Sequence, residues 1–156
     1  MRTLLFFCLS LFLLACTEDP TEGFEPIDLL DKDIPVTVLA PPGAEVKKGD
    51  LGIVMKDVTV RGGDNYSLQI FASAAATTDV GTIKQTQLEN VKSNPSFDGL
   101  IEEFPSGFIY RTSIDSLSNF SFRRVKVVGD QEIIFQPGLG GSYSEADVRL
   151  MYTATE

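Results

Sequence analysis

Over most of this chain apolar residues recur at every second position, and they switch to every third or fourth over only two stretches. That contrast limits the fold more than any other feature. Val36-Thr37-Val38-Leu39-Ala40 is rich in β-branched residues and ends at Pro41-Pro42-Gly43, which reads as a strand and a turn. Leu51 to Arg61 carries Ile53, Val54, Val58 and Val60. Gly62-Gly63-Asp64-Asn65 then separates it from Tyr66 to Ala72, where Tyr66, Leu68, Ile70 and Ala72 alternate with Ser67 and Gln69. This is a hairpin pattern. Further strands are expected at 100–104, 107–112, 120–128 and 132–136, with Gly129-Asp130 as a tight turn between the last two. In the third of these, Phe120, Phe122, Arg124 and Lys126 alternate with Ser121, Arg123, Val125 and Val127, so neither face is cleanly apolar.

The first change of period follows Thr78. Val80, Ile83, Gln87, Leu88 and Val91 recur at three and four, Asp79 can accept the free amides of a first turn, and Asn94-Pro95 stops the element. A helix over 80–93 follows. The second comes after Pro137-Gly138-Leu139-Gly140-Gly141, where Ser142-Tyr143-Ser144-Glu145 has the form of a capping box and Val148, Met151 and Tyr152 share a face. The expected fold is a small single α+β domain over 35–156, with a largely antiparallel sheet and two helices on one face. The alternative is an all-β sandwich without either helix.

Ahead of that domain, Arg2 precedes a nearly unbroken apolar run from Leu4 to Ala15. As a helix twelve residues reach about 18 Å, short of the ~30 Å needed to cross a bilayer. The run therefore reads as a signal-peptide core over 1–15. It stops at Leu13-Leu14-Ala15-Cys16, which resembles the lipobox of bacterial lipoproteins. In that family signal peptidase cuts before the cysteine, and the new N-terminus carries acyl chains. The resemblance implies lipidation of Cys16 and anchoring by two or three chains, enough to hold a protein permanently. With Cys8 lost alongside the leader, no free thiol remains for a disulfide, a thiolate metal site or a nucleophile.

Glu18 to Asp33 holds seven acids and one base, Lys32, interrupted by Pro20, Gly23 and Pro26. Residues 16–34 are thus expected to form an acidic flexible tether. Thr17-Glu18-Asp19 is similar to the acidic export signal of surface-exposed Bacteroidota lipoproteins, with Pro20 and Thr21 where further acids are typical. Thr17 also departs from the aspartate that retains enterobacterial lipoproteins at the inner membrane. The resemblance and this departure together imply a lipid-anchored protein of the outer membrane, and the resemblance implies its outer face.

Composition narrows the chemistry. Thirteen Lys and Arg against twenty-two Asp and Glu leave −9, which argues against nucleic acid as a partner. There is no His, so Ser-His-Asp and Cys-His catalysis are excluded and the commonest ligand for zinc, copper and haem is missing. Asp28, Asp31 and Asp33 do not match an EF-hand loop. Gly138 to Ser142 lacks the Gly-Lys-Ser/Thr ending of a phosphate loop and reads as a strand-to-helix turn. Adjacent Glu102 and Glu103 point to opposite faces of a strand and cannot share a substrate; a carboxylate-only hydrolase would need partners such as Asp98 or Asp115. The bases of Phe120-Ser121-Phe122-Arg123-Arg124-Val125-Lys126 are expected to pair with acids on neighbouring strands. No catalytic residue, metal or cofactor is assigned. The function expected is a non-catalytic, membrane-anchored module for a protein or envelope partner. A glycan-binding accessory lipoprotein using exposed Tyr66, Tyr110 or Tyr143 is the alternative.

Overall fold

The computed structural model describes residues 19–49, 52, 54–115 and 117–156. In chain order the described residues form β1 (Glu25–Asp28), a 3-10 turn (Leu30–Lys32), β2 (Thr37–Ala40), β3 (Glu45–Lys48), β4 (Lys56–Gly62) and β5 (Tyr66–Ala74). Helix α1 (Val80–Lys92) follows, then β6 (Phe97–Phe104), β7 (Gly107–Ile114), β8 (Leu117–Val128), β9 (Gln131–Pro137) and helix α2 (Glu145–Thr153). The chain is an α+β domain: β1 and β2 pair apart, and the other strands form one sheet in the order β3-β4-β5-β9-β8-β7-β6. Every pairing is antiparallel.

Local chemistry accounts for most of these elements. Between β8 and β9 the turn is two residues, and only Gly129 has a positive φ, as a type II′ hairpin requires. Asp79 caps α1, its carboxylate accepting from the amides of Gly81 and Thr82. Helix α1 carries the chain from β5 to the far edge. The β6–β9 meander then walks back until β9 pairs with β5 along Leu68–Ala74.

The two helices cover opposite faces of the sheet, not one. Val148, Met151 and Tyr152 of α2 pack with Ile109, Phe122, Ile133 and Phe135, whereas α1 sets Ile83 against Val125 and Ile134, and Leu88 and Val91 against Phe108 and Tyr110. Neighbouring residues on a strand point to opposite sides, so β7, β8 and β9 are apolar on both. This explains the mixed pattern of β8.

Two further differences concern the ends. Residues 25–34, expected in the tether, are folded: β1 pairs with β2 from Glu25–Ala40 to Asp28–Thr37, and Leu29 and Ile34 are fully buried. The acids did not prevent this because Glu25, Asp28, Asp31 and Asp33 all face solvent, while Ile27, Leu29 and Ile34 between and beside them reach the core. Helix α2 is capped two residues later than expected, by Ser144 with Asp147. Tyr143 remains extended because its N–H donates to Asn119 Oδ1 (2.7 Å) and its carbonyl accepts from Phe120 N–H (3.1 Å). The short strand β3, with its polar Glu45-Val46-Lys47-Lys48, lacks the apolar alternation that marks the others.

Candidate functional site

The second helix and the β1–β2 pair fill one face of the sheet, but α1 covers only part of the other. Beside it a polar cleft opens on Arg123 of β8. One wall is α1, whose Gln87 and Asn90 lie three residues apart and so share a side of the helix, continued by Asn94 just beyond the Ser93 C-cap. Tyr110 and Thr112 of β7 form the other wall, and the space enclosed is about 150 Å³. A second hollow of about 250 Å³ also reaches Arg123 and Gln87, over β5 and β9, where Met55, Phe71 and Ile134 make it largely apolar.

Across the sheet floor runs a chain of amides. Gln136 Nε2 donates to Gln69 Oε1 (3.1 Å), and Gln69 Nε2 donates to Asp57 Oδ1 (3.2 Å), all three residues being buried. The register brings Arg123 beside Gln136, one step beyond the Arg124–Phe135 pair. Gln136 is thus held by its neighbours with its carbonyl oxygen free of hydrogen bonds among the described residues.

Arg123 is the one cation in this setting. Its guanidinium makes a single hydrogen bond among the described residues, from Nη1 to the Phe122 carbonyl (3.2 Å), and has no carboxylate within ion-pair distance. Burial pulls its pKa below the ordinary guanidinium value, with Tyr110 opposing the shift. An arginine cannot escape such a site by losing its proton, so the charge stays and its desolvation is left without compensation. The expectation that the bases of β8 pair with acids on neighbouring strands does not hold. Arg124 lies over the Tyr152 ring at 5.0 Å and reaches Glu156 at the chain end (3.6 Å), while Lys126 donates to the Glu156 carbonyl (3.0 Å).

Other candidates fall elsewhere. Cys16 lies outside the described residues. Glu102 pairs with Arg149 of α2 and Glu103 with Lys84 of α1, so the two carboxylates do face apart. Asp98 is tied to Arg111, and Asp115 sits in the β7–β8 turn. Tyr66, Tyr110 and Tyr143 are all buried and make no exposed platform, which removes the basis for a tyrosine-lined glycan surface. Tyr66 donates to the Leu39 carbonyl (2.5 Å) and Tyr143 to the Gly138 carbonyl (3.1 Å). Glycine at 141 serves that contact, since a Cβ there would overlap the Tyr143 hydroxyl and ring. The loop is a packed strand-to-helix turn. No group of three or more Cys, Asp or Glu suited to a metal ion occurs among the described residues, and no helix among them is long and apolar enough to cross a membrane.

Sequence reasoning passed over this cleft. The available signal was the amide series 87, 90, 94 beside the apolar stripe of α1, together with an arginine at an inward position of β8. Comparison with protein-family models, with curated proteins and with solved structures gave no match, so the site is read from its chemistry alone. Amides, hydroxyls and a guanidinium can grip an anionic group. None of them is a base near neutral pH.

Proposed function

We propose that this chain is an envelope lipoprotein, acylated on Cys16 and held at the outer membrane, whose folded domain is a non-catalytic binding module. The observation that carries the reading is Leu13-Leu14-Ala15-Cys16 at the end of a twelve-residue apolar run. Its second support is the cleft at Arg123, where hydrogen-bonding groups converge around a cation that has no ion-pair partner among the described residues.

The reading has a geometric consequence. Thr21, five positions after Cys16, is already buried. At about 3.6 Å per residue these five steps span at most roughly 18 Å. The domain therefore rides close to the bilayer and not at the end of a long stalk. Intact-mass measurement of protein from envelope fractions tests the anchor: a chain beginning at Cys16 with acyl mass is expected. A bare cysteine, or a leader still attached, would overturn it. Protease shaving of intact cells tests facing, and full protection while known surface proteins are cut would exclude outward exposure.

A further inference from the structure

Arg123 is a half-buried charge with no counter-ion among the described residues, beside side chains with spare hydrogen-bonding capacity. Gln87 and Asn90 make no side-chain hydrogen bond among the described residues that would occupy them. Asn94 accepts at Oδ1 from Ser96 N–H (3.0 Å) and Ser96 Oγ (2.8 Å), leaving its Nδ2 donors free. We propose that the cleft is a receptor for a terminal monocarboxylate bearing a short apolar substituent. The carboxylate sits on Arg123 and the amides of Gln87, Asn90 and Asn94, and the substituent lies over Met55, Phe71 and Ile134. This deepens the binding-module reading and rests on it, but it does not depend on acylation of Cys16.

Five observations select that ligand class. A guanidinium meets a carboxylate through two parallel N–H···O bonds, and Arg123 has all but one of its donors available. A doubly charged phosphate is disfavoured, because the cleft has one cation and lies along the C-terminal half of α1, the negative end of the helix dipole. Size suits a small group: the cleft holds about 150 Å³, room for a terminal carboxylate. The adjoining apolar hollow takes what is attached to it. At the far rim of that hollow stands Glu132, four residues along β9 from Gln136 and so about 13 Å away. Its charge repels a second carboxylate, and the ligand is restricted to one.

Such a group can come from a free short-chain acid or from the C-terminus of a peptide, and a calorimetric and NMR titration separates the two. Probes are hexanoate, a tetrapeptide ending in a free leucine carboxylate, the same peptide amidated, and inorganic phosphate. Side-chain amide signals of Asn90 and Asn94 report on the cleft. Either acid should shift them and the amidated peptide should bind at least tenfold more weakly, whichever acid binds better identifying the source. Arg123→Gln should lose tenfold or more. Asn90→Asp, which keeps Arg123 but places a negative charge opposite it, should lose a similar factor, while Lys126→Gln on the other face should bind normally. Retained amide dispersion establishes that each variant folds. The proposal is overturned if neither acid binds at millimolar concentration, if amidated peptide or phosphate binds as well as the acids, or if both cleft variants bind as the parent does. If the acids fail while a protein companion is still recovered from the envelope, the ligand class falls and the module reading stands.

Discussion

Replacing Arg123 with methionine should make this protein more stable. The change keeps most of the aliphatic stem that packs between α1 and the sheet and removes the guanidinium. What is lost is one hydrogen bond to the Phe122 carbonyl, 3.2 Å long and made to a neutral acceptor, about 1 kcal/mol. What is relieved is the desolvation of an ion without a counter-ion. A fully enclosed ion costs several kcal/mol, and because Arg123 borders an open cleft we take about 2 kcal/mol. The balance is roughly 1 kcal/mol of stabilisation, or a rise of about 3 °C in Tm for a chain of this size. Most substitutions at partly buried positions go the other way by about the same amount, so the sign is diagnostic. Urea unfolding followed by circular dichroism is suitable, with midpoints compared at equal slope. Acetate in excess should raise the parent midpoint by mass action and leave the methionine variant unmoved. A variant less stable than the parent by 1 kcal/mol or more would show that the guanidinium is well satisfied in the fold. The uncompensated charge, on which the site rests, would then be refuted.

Met151→Ala should destabilise by about 3 kcal/mol, since Met151 is fully buried between α2 and the sheet, and a denaturant midpoint reads this directly. Ser144→Ala removes the α2 cap that answers the amide of Asp147 and should cost about 1 kcal/mol in the same assay. Tyr66→Phe deletes the donor to the Leu39 carbonyl and should cost about 1 kcal/mol; an unchanged midpoint would mean that this bond adds nothing. The Asp79 carboxyl is held below the ordinary range, chiefly by the Thr82 hydroxyl and then by the amides of Thr82 and Gly81. A depressed carboxyl stabilises above its unfolded value near pH ~4 and loses that contribution as pH falls through the folded value. Asp79→Asn, which still caps, should therefore flatten the stability–pH curve below about pH 4, and an unaltered curve would count against the assignment.

Much of the fold was legible because its signals are local. Gly129-Asp130 between two apolar runs dictates a hairpin whatever surrounds it, and Asp79 followed by a three-and-four spacing dictates where α1 begins. The capping box slipped by two residues for a non-local reason: the side chain that keeps Tyr143 extended belongs to Asn119, 24 positions earlier. The first strand was hidden because its acids, read as a composition, outweighed Ile27, Leu29 and Ile34, read as positions. Charge density says how much of a segment is polar, but not whether the polar residues can all face water at once.

By itself the sequence determined most of the secondary elements, though not β1 or β3, together with the antiparallel character that short connections enforce and the absence of histidine chemistry. Each of these follows from residue type and near neighbours. Only the tertiary structure decided that the helices take opposite faces, that β9 returns to β5, and that Arg123 comes beside Gln87, Asn90 and Asn94 with no counter-ion among the described residues. Those outcomes depend on which apolar faces bury one another across long separations, and no pattern within a single segment records that choice.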